Sequence, residues 1–294
     1  MAKLSVVILT YNSSKFIRSC LDAIYAQGDK SLEVVVVDNG SKDKITDLIR
    51  GSYPSVILIE NKINLGSSKA RNQGIEASKD QWLLTLDCDC VIENDFILQI
   101  NKAIDRADPK LGSIQTNILS SDRKRVYSNG IFISFLRRFY DINRNKPIIG
   151  NSYSDTKYIF GACSAAAVYN RNMLEEIRES TGYFDERFFF LVEDVDLSWR
   201  AQKKGWKTLY CPQAVCLHFG NSSNIDFRMR RFLCFRNRYL LIIKNESRRE
   251  FFAKIFFQII LDLPRIIIMT IDGTFINSIT EYFRKSNLTK KGAA

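Results

Sequence analysis

Short apolar runs alternate with helical segments through the first 110 residues, and this alternation limits the possible folds more than any other feature. The apolar runs have strand length, and apolar residues recur at helical spacing between them. Strands are predicted at Leu4–Leu9, Leu32–Val37, Val56–Ile59 and 82–86, and helices at Phe16–Tyr25, 42–50 and 69–79. Strand and helix repeated at this spacing indicate a doubly wound, mostly parallel sheet with helices on both faces.

The pattern becomes less regular after residue 110. Two more strands are predicted at Gly112–Leu119 and Tyr158–Tyr169, and two helices at Asn170–Glu179 and 193–204. An aromatic loop is predicted at Gly182–Val192 and a last strand at Trp206–Cys211. Pro212 is expected to end that last strand. The stretch 120–157 is basic and aromatic and contains few firm signals.

Two aspartates, Asp87 and Asp89, follow the central predicted strand directly. Ligands of open α/β sheets bind at the carboxyl ends of the strands, and residues i and i+2 of an extended segment point to the same side. Both carboxylates are therefore expected to present oxygen to one divalent cation, for which magnesium or manganese is suited. The alternative is an aspartate-rich turn, which the Asp-x-Asp pattern alone favours.

The charge of the chain is concentrated at one end. The formal net charge of the 294 residues is +11, yet residues 221–294 hold 14 Lys/Arg and 6 Asp/Glu, which leaves only +3 for residues 1–220. A nearly neutral body argues against a nucleic-acid-binding protein. The seven cysteines contain no CxxC pair, which favours a reduced, cytoplasmic chain, and no signal peptide is expected at the amino terminus.

Five motifs occur in a specific order along the chain. They are Thr10-Tyr11-Asn12, Val37-Asp38-Asn39-Gly40-Ser41, Asp87-Cys88-Asp89, Glu193-Asp194-Val195-Asp196-Leu197 and His218. Together they resemble the inverting, nucleotide-sugar-dependent glycosyltransferases of family two, especially the rhamnosyltransferase-like and galactofuranosyltransferase-like members. The resemblance implies a GT-A fold over residues 1–220, with a nucleotide-binding half at 1–110 and an acceptor half at 111–220.

The resemblance also implies a donor site. It places Thr10, Tyr11, Asn12, Asp38, Arg71, Asp87 and Cys88 at the nucleotide sugar. Asp38 would bind the pyrimidine ring, Tyr11 would stack on the base and Asp87 would face the ribose. Arg71 would reach the base or the diphosphate, and Cys88 has no assigned chemistry. The alternatives are a turn-capping role for Asp38, core packing for Tyr11 and a solvated helix face for Arg71.

A metal and a base complete the implied site. Asp89 and His218 would bind Mn²⁺ or Mg²⁺, which would act as a Lewis acid on the leaving diphosphate. Asp194 would be the general base that takes the proton of the acceptor hydroxyl. Asp196 is given a supporting role, since it precedes Arg200 by four residues and does not share a helix face with Asp194; Glu193 is also secondary.

The acceptor side is less defined. The segment Gly161-Ala162-Cys163-Ser164 resembles the acceptor segment of the family, although tight strand packing explains its small residues equally well. Four phenylalanines of the aromatic loop either line this site or fill the core: Phe184, Phe188, Phe189 and Phe190.

Residues 221–294 are predicted to form a basic, amphipathic helical tail. The most apolar stretch, Phe251–Ile271, contains Lys254, Asp262, Pro264 and Arg265, and each central charge would cost about 2.5–3.5 kcal/mol within a bilayer. Helical spacing puts Lys254, Gln258, Asp262 and Arg265 on one face and Phe251, Phe252, Ile255, Phe256 and Ile259 on the other. This pattern predicts a helix lying on an anionic membrane; a lid or a homodimer interface is the alternative.

These patterns lead to one expected function. The chain is expected to be a metal-dependent inverting glycosyltransferase that moves a sugar from a UDP- or dTDP-sugar to a glycan acceptor, possibly lipid-linked, in cell-surface polysaccharide synthesis at the inner face of the membrane. The alternatives are a polyprenyl-phosphate sugar synthase of the same fold, a nucleotidyltransferase and a basic nucleic-acid-binding protein.

Overall fold

Over the residues that the structure describes, the fold consists of twelve strands, eight α-helices and one short 3-10 helix. The computed structural model describes residues 3–29, 31–149, 155–220, 225–276 and 278–279. The strands are β1 (Leu4–Thr10), β2 (Glu33–Asp38), β3 (Ile57–Glu60), β4 (Trp82–Asp87), β5 (Cys90–Ile92), β6 (Leu111–Ser120), β7 (Val126–Ser128), β8 (Ile131–Ile133), β9 (Phe139–Asp141), β10 (Lys157–Ile159), β11 (Ala166–Asn170) and β12 (Lys207–His218). The helices are α1 (Ser14–Tyr25), α2 (Ile45–Ser52), α3 (Ser67–Ala77), α4 (Phe96–Asp105), α5 (Arg171–Ile177), α6 (Glu193–Lys203), α7 (Phe227–Asn245) and α8 (Arg248–Ile271), with the 3-10 helix at Glu186–Phe188.

A single large sheet organises these elements. Its main strand order is β10-β12-β6-β11-β4-β1-β2-β3, and the block β4-β1-β2-β3 is parallel throughout. β11 runs antiparallel to both of its neighbours, whereas β12 is again parallel to β6. Strands β1, β2, β4, β6 and β12 therefore end at the same edge, and the predicted α/β fold with a mostly parallel sheet is confirmed.

Both faces of the sheet are buried, which is why its central strands are apolar throughout. Val6 and Ile8 of β1 belong to the core formed with α1, α2 and α4, while Val7 faces the core formed with α3, α5 and α6. The alternation along β1 follows from the two-residue period of a strand.

The predicted strand Tyr158–Tyr169 is wrong. The structure has two strands there, β10 and β11, which pair with different partners. The small residues between them form a turn, and a Cβ added to Gly161 would come within 2.3 Å of Ser198 Oγ. These residues therefore allow close approach of the backbone to α6, which a continuous strand would not provide.

The expectation that Pro212 ends the last strand is wrong. β12 continues to His218, and its register against β6 shifts between Cys211 and Val215. A proline cannot donate a ladder hydrogen bond, so it is accommodated at such an irregularity. His218 is consequently the last residue of a sheet strand and is held in a fixed position.

Two long helices, α7 and α8, form the C-terminal helical region. α7 packs against α6 and the 3-10 helix, and α8 packs against α7. Residues 221–224, 277 and 280–294 of the predicted tail lie outside the described residues. Among the described residues, every helix is too short or too polar to cross a bilayer.

Candidate active site

A cavity of about 470 Å³ opens at the carboxyl edge of the sheet, a size typical of small-molecule sites. Five acidic residues line it: Asp87, Asp89, Asp141, Glu193 and Asp194. A narrower cleft of about 90 Å³ adjoins it, and the two share Arg71, Asp87 and Phe190 as walls. The position agrees with the rule that open α/β sheets bind ligands beyond their strand ends.

Asp89 and His218 meet because β5 turns back from Asp89 and pairs with β12. In that pairing Cys90 lies opposite His218, and Phe219 donates its backbone N–H to the Asp89 carbonyl at 2.9 Å. His218 Nε2 lies 3.7 Å from Asp89 Oδ1. Asp89 is only 1% exposed, yet neither of its carboxylate oxygens has a hydrogen-bond partner among the described residues, nor has His218 Nδ1.

These residues fit a divalent cation. A buried carboxylate without partners is costly, and a cation held between carboxylate and imidazole would remove that cost. Cys90 Sγ lies within 4.8 Å of the same ligand atoms, but its thiol donates to the Ala165 carbonyl and burial raises its pKa well above the ordinary value. The available donors are therefore oxygen and nitrogen, which suit Mn²⁺ or Mg²⁺ better than a thiolate-bound metal.

Asp87 has a different environment from Asp89. Arg71 donates to Asp87 Oδ1 at 2.8 Å and to Glu193 Oε1 at 2.7 Å. Burial opposes the charge on Arg71, but the two carboxylates raise its pKa above the ordinary value. Arg71 is 5% exposed, so the alternative of a solvated helix face is wrong. One oxygen of Asp87 is thus already engaged, whereas both oxygens of Asp89 remain free for a ligand.

Asp194 stands on the cavity wall in the first turn of α6. Its Oδ2 accepts the backbone N–H of Ser164 at 3.2 Å, and its Oδ1 accepts that of Val195 at 2.9 Å. Burial, reinforced by the neighbouring charge of Glu193, raises the pKa of Asp194 to about 7, while the Ser164 N–H opposes this shift. A carboxyl group with this pKa can take up a proton near neutral pH.

Asp196 faces away from the cavity. It is fully buried and accepts hydrogen bonds from Arg200 at 2.9 Å, Lys244 at 2.8 Å and Asn245 at 2.7 Å. The predicted pair with Arg200 is present. Glu193, which is also buried, accepts from Ser67 at 2.6 Å as well as from Arg71, so it links α6 to α3.

The predicted donor residues divide into two groups. Tyr11, Arg71, Asp87 and Cys88 line the narrow cleft, whereas Thr10, Asn12 and Asp38 do not. Thr10 is opposite Asp38 in the β1–β2 register. The Asp38 carboxylate accepts the backbone N–H and the hydroxyl of Ser41, which is the turn-capping arrangement given as the alternative, and burial raises its pKa.

Asn12 connects the loops that follow β1 and β2. It adopts a positive φ of 49°, its N–H donates to Ser41 Oγ at 2.8 Å, and its Oδ1 accepts the Lys42 N–H at 2.8 Å. Asparagine tolerates this left-handed conformation better than most residues. Its observed contacts therefore position the loops of the cleft.

The aromatic loop contributes to both core and cleft. Phe184 and Phe188 are fully buried, whereas Phe189 and Phe190 line the cleft. Phe189, Leu191 and Val192 have positive φ values of 65°, 69° and 76°, a strained conformation for such side chains. Asn237 of α7 stabilises it, because its side-chain amide lies 2.8–3.0 Å from the carbonyls of Phe188, Phe190 and Leu191.

Several cavity residues were missed by the sequence analysis. Tyr127 stacks on His218 with ring centroids 3.9 Å apart, and the Arg144 guanidinium lies 3.8 Å from the Tyr127 ring. Both come from the stretch 120–157, in which no motif marks them. Arg230 and Cys234 of α7 also line the cavity, and the Ser164 backbone contact with Asp194 leaves no signal in side-chain identity.

Known proteins share this sequence pattern. Residues 5–178 match the family model Glycosyl transferase family 2. The poly-β-1,6-N-acetyl-D-glucosamine synthase of Staphylococcus aureus (strain COL) is 23% identical over 215 residues, which cover 72% of this chain and 49% of that protein. The chain thus spans about half the length of this relative.

Solved structures share the fold. The mannosyltransferase PcManGT from Pyrobaculum calidifontis, in complex with GDP-Man and Mn²⁺, has a TM-score of 0.60 at 19% identity, over 86% of this chain and 68% of that one. TarS 1-349 of S. aureus, in complex with UDP-GlcNAc, has a TM-score of 0.52 at 15% identity, over 83% and 68% of the two chains. These likenesses support the GT-A fold. Because the family match covers more than half of the sequence, we conclude that the chain belongs to glycosyl transferase family 2.

Proposed function

We propose that the protein is a metal-dependent, inverting glycosyltransferase that uses a UDP- or dTDP-sugar and transfers a hexosyl or rhamnosyl group to a glycan. The observation that carries this proposal is the presence, in one cavity, of a carboxyl group with a pKa of about 7 and a buried, unpartnered carboxylate beside a histidine. Neither feature stabilises the fold, whereas each serves sugar transfer.

The donor is held from two sides in this proposal. The base and ribose enter the narrow cleft between Tyr11 and Asp87, and the diphosphate points toward Asp89 and His218. A divalent cation bound there supplies positive charge to the departing diphosphate. Arg71 contributes by fixing the orientation of Asp87.

Asp194 acts as the base. It takes the proton of the acceptor hydroxyl while the acceptor oxygen bonds to the anomeric carbon, and the bond from that carbon to the diphosphate breaks on the opposite face of the sugar. The Ser164 N–H holds one carboxylate oxygen of Asp194. The adjoining residues Cys163 and Ala165 then provide a wall of small side chains for the acceptor.

The acceptor is proposed to be a growing cell-surface glycan, possibly lipid-linked, at the inner face of the cell membrane. Support comes from the S. aureus relative, which is a poly-β-1,6-N-acetyl-D-glucosamine synthase. The structural relatives were solved with GDP-Man or UDP-GlcNAc, so the choice of a pyrimidine donor rests on the resemblance of the Asp38 motif to the family. We further propose that residues 1–220 form the transferase domain, with its donor half at 1–110, its acceptor half at 111–220 and the helical tail at 221–294.

Release of the nucleoside diphosphate from a panel of nucleotide sugars tests this proposal. We expect release with UDP- or dTDP-sugars in the presence of Mn²⁺ and a glycan acceptor. Turnover with polyprenyl phosphate as the only competent acceptor would favour a polyprenyl-phosphate sugar synthase. Release of pyrophosphate from a nucleoside triphosphate and a sugar phosphate would identify a nucleotidyltransferase and contradict the proposal.

A further inference from the structure

Helix α8 shows its polar face to the protein and its apolar face to solvent. Lys254, Gln258 and Asp262, spaced four residues apart, are buried against the body. Ten apolar side chains of the helix are exposed instead, with Phe252 at 73%: Phe252, Phe256, Phe257, Ile259, Ile260, Leu261, Leu263, Ile267, Ile268 and Ile271. A helix whose outer side contacts only water has its apolar side chains against the protein and its polar side chains in solvent.

Buried ion pairs fix this orientation of α8. Lys254 Nζ lies 3.0 Å from Glu246 Oε1. Asp262 accepts from Arg138 at 3.1 Å and from Tyr239 at 2.8 Å, and it also pairs with Arg238. Turning the helix to bury its phenylalanines would leave these buried charges without partners, which is strongly unfavourable. The buried ion pairs therefore keep the apolar face of α8 at the surface.

The charges around this face are unbalanced. The acidic residues of this region are engaged within the protein: Glu246, Glu250 and Asp262 pair with basic side chains, Asp226 caps α7 and Asp272 pairs with Arg231. In contrast, Arg228, Arg248 and Arg249 are exposed and make no ion pair with the described residues. Helical spacing places Arg249 in line with Phe252, Phe256 and Leu263. The face is thus apolar with positive charge beside it.

We propose that the apolar face of α8 docks on an anionic lipid bilayer, with the helix lying in the interface and Arg248 and Arg249 at the headgroups. The 24-residue helix is roughly 36 Å long, and a combined apolar and cationic face is what such surfaces recognise. A second copy of the chain is the less suitable occupant, because it would bring the same positive charge. The proposal deepens the proposed function, since α7 joins this surface to the cavity wall at Arg230 and Cys234.

Co-sedimentation of the full chain with lipid vesicles tests this inference. We expect binding to vesicles of phosphatidylcholine mixed with phosphatidylglycerol, weaker binding to phosphatidylcholine alone, and a decrease with salt. The double variant Phe252→Gln/Phe256→Gln should bind at least about tenfold more weakly, because two large apolar groups no longer enter the lipid. The matched control is Leu98→Gln/Phe132→Gln, which changes two exposed apolar residues of the body and should bind normally.

A second variant tests the role of charge. Arg248→Gln/Arg249→Gln should lose most of its preference for anionic vesicles while keeping weak binding to phosphatidylcholine. Release of nucleoside diphosphate with a soluble acceptor should remain unchanged in both α8 variants, since neither touches the cavity. Vesicle binding without any sugar transfer would leave this inference standing and contradict the proposed function instead.

Three results would overturn the inference. A stable dimer in sedimentation velocity that Phe252→Gln/Phe256→Gln dissociates would identify a second copy as the occupant. A monomer that ignores vesicles would mean that another segment of the chain covers the face. Equal vesicle binding by the wild type and this variant would place the lipid contact elsewhere.

Discussion

Four of the acidic side chains of the cavity, Asp87, Asp89, Glu193 and Asp194, behave differently because each has different neighbours. Asp87 and Glu193 share the Arg71 guanidinium, whereas His218 is the one basic side chain of the described residues within 4 Å of Asp89. Asp194 receives backbone N–H groups, and no basic side chain in the described part of the chain forms an ion pair with it. The Arg71 guanidinium thus engages Asp87 and Glu193, whereas Asp89 remains available for a ligand and Asp194 for a proton.

The pKa of Asp194 predicts the pH dependence of transfer. A general base must be deprotonated, so kcat should rise with pH as the group titrates near 7 and level off above it. Measuring kcat between about pH 5.5 and 8.5 at saturating donor and acceptor checks this. A rate that does not change across this interval would show that Asp194 is not the titrating group.

The same shift predicts an effect on stability. The folded-state pKa of Asp194 is about 7 and the ordinary value is 3.8, so between these values the folded protein binds more protons than the unfolded chain. Its stability contribution therefore falls as pH rises through that window and stays low above it. Asp194→Asn should raise the free energy of unfolding by about 1–4 kcal/mol at pH 8 and have little effect below about pH 4. Urea unfolding at both pH values measures this; equal stability at pH 8 would contradict the shift.

The orphaned oxygens of Asp89 predict stabilisation by metal. Mn²⁺ at 100 times its Kd should stabilise the folded protein by about 2.7 kcal/mol, and a chelator should abolish transfer. Asp89→Asn should remove most of the rise in melting temperature that Mn²⁺ causes, while Asp122→Asn, at an exposed acid, should keep it. Full transfer activity in excess chelator would rule out the cation.

Residue chemistry was predictable only in part. Asp87, Asp89 and Asp194 follow from motif positions, and the cavity brings them together. The contacts of Arg71 were not predictable, because Asp87 and Glu193 are 16 and 122 residues away in sequence. Tyr127 and Arg144 were missed for a similar reason, since aromatic and basic residues give no signal until the fold stacks Tyr127 on His218 and Arg144 on Tyr127.

At the scale of elements, α7 supports the aromatic loop on which the cleft depends. The loop holds three non-glycine residues at positive φ, and Asn237 provides the amide that its carbonyls require. Lys244, near the end of the same helix, lies 2.8 Å from both Asp185 and Asp196. The predicted tail therefore helps to shape the site, although its sequence suggests an appendage.

Removal of the Asn237 amide should disturb donor binding. Asn237→Leu keeps the size of the side chain but leaves buried carbonyls unpaired, which should cost about 1–3 kcal/mol of stability. Because the loop carries Phe189 and Phe190, KM for the donor should increase more than kcat decreases. Asn170→Ala is the control: it removes the cap of α5 at a cost of about 0.5–2 kcal/mol and should leave KM unchanged. Equal KM values for both variants would assign Asn237 a purely structural role.

Helix α8 shows what periodicity can and cannot reveal. The spacing of Lys254, Gln258 and Asp262 predicted two faces, and the structure has both. Periodicity cannot state which face turns inward, because that depends on partners such as Glu246 and Arg238, which a helical repeat does not reveal.

At the scale of the whole molecule, elements that pair with nearby segments of the sequence were easier to predict than elements that depend on distant contacts. The parallel block β4-β1-β2-β3 joins neighbouring segments through short connections, so its strands and its ligand-binding edge could be anticipated. The second half depends on distant contacts, such as the one between Arg137 and Glu246, which are 109 residues apart. Pro212 and Gly161 were misjudged for the same reason, since a partner strand or helix decides whether a local breaker ends a strand.

The central claim is that Asp194 is the base, and the rate of nucleoside diphosphate release by Asp194→Asn tests it most directly. Asparagine has nearly the same size but cannot take the proton, so turnover should fall by about 10²–10⁴-fold while donor affinity stays within a few-fold. Asp196→Asn, which alters a carboxylate buried against Arg200, Lys244 and Asn245, should lose stability and retain more turnover. Near-normal release by Asp194→Asn beside an inactive but folded Asp196→Asn would contradict the assignment.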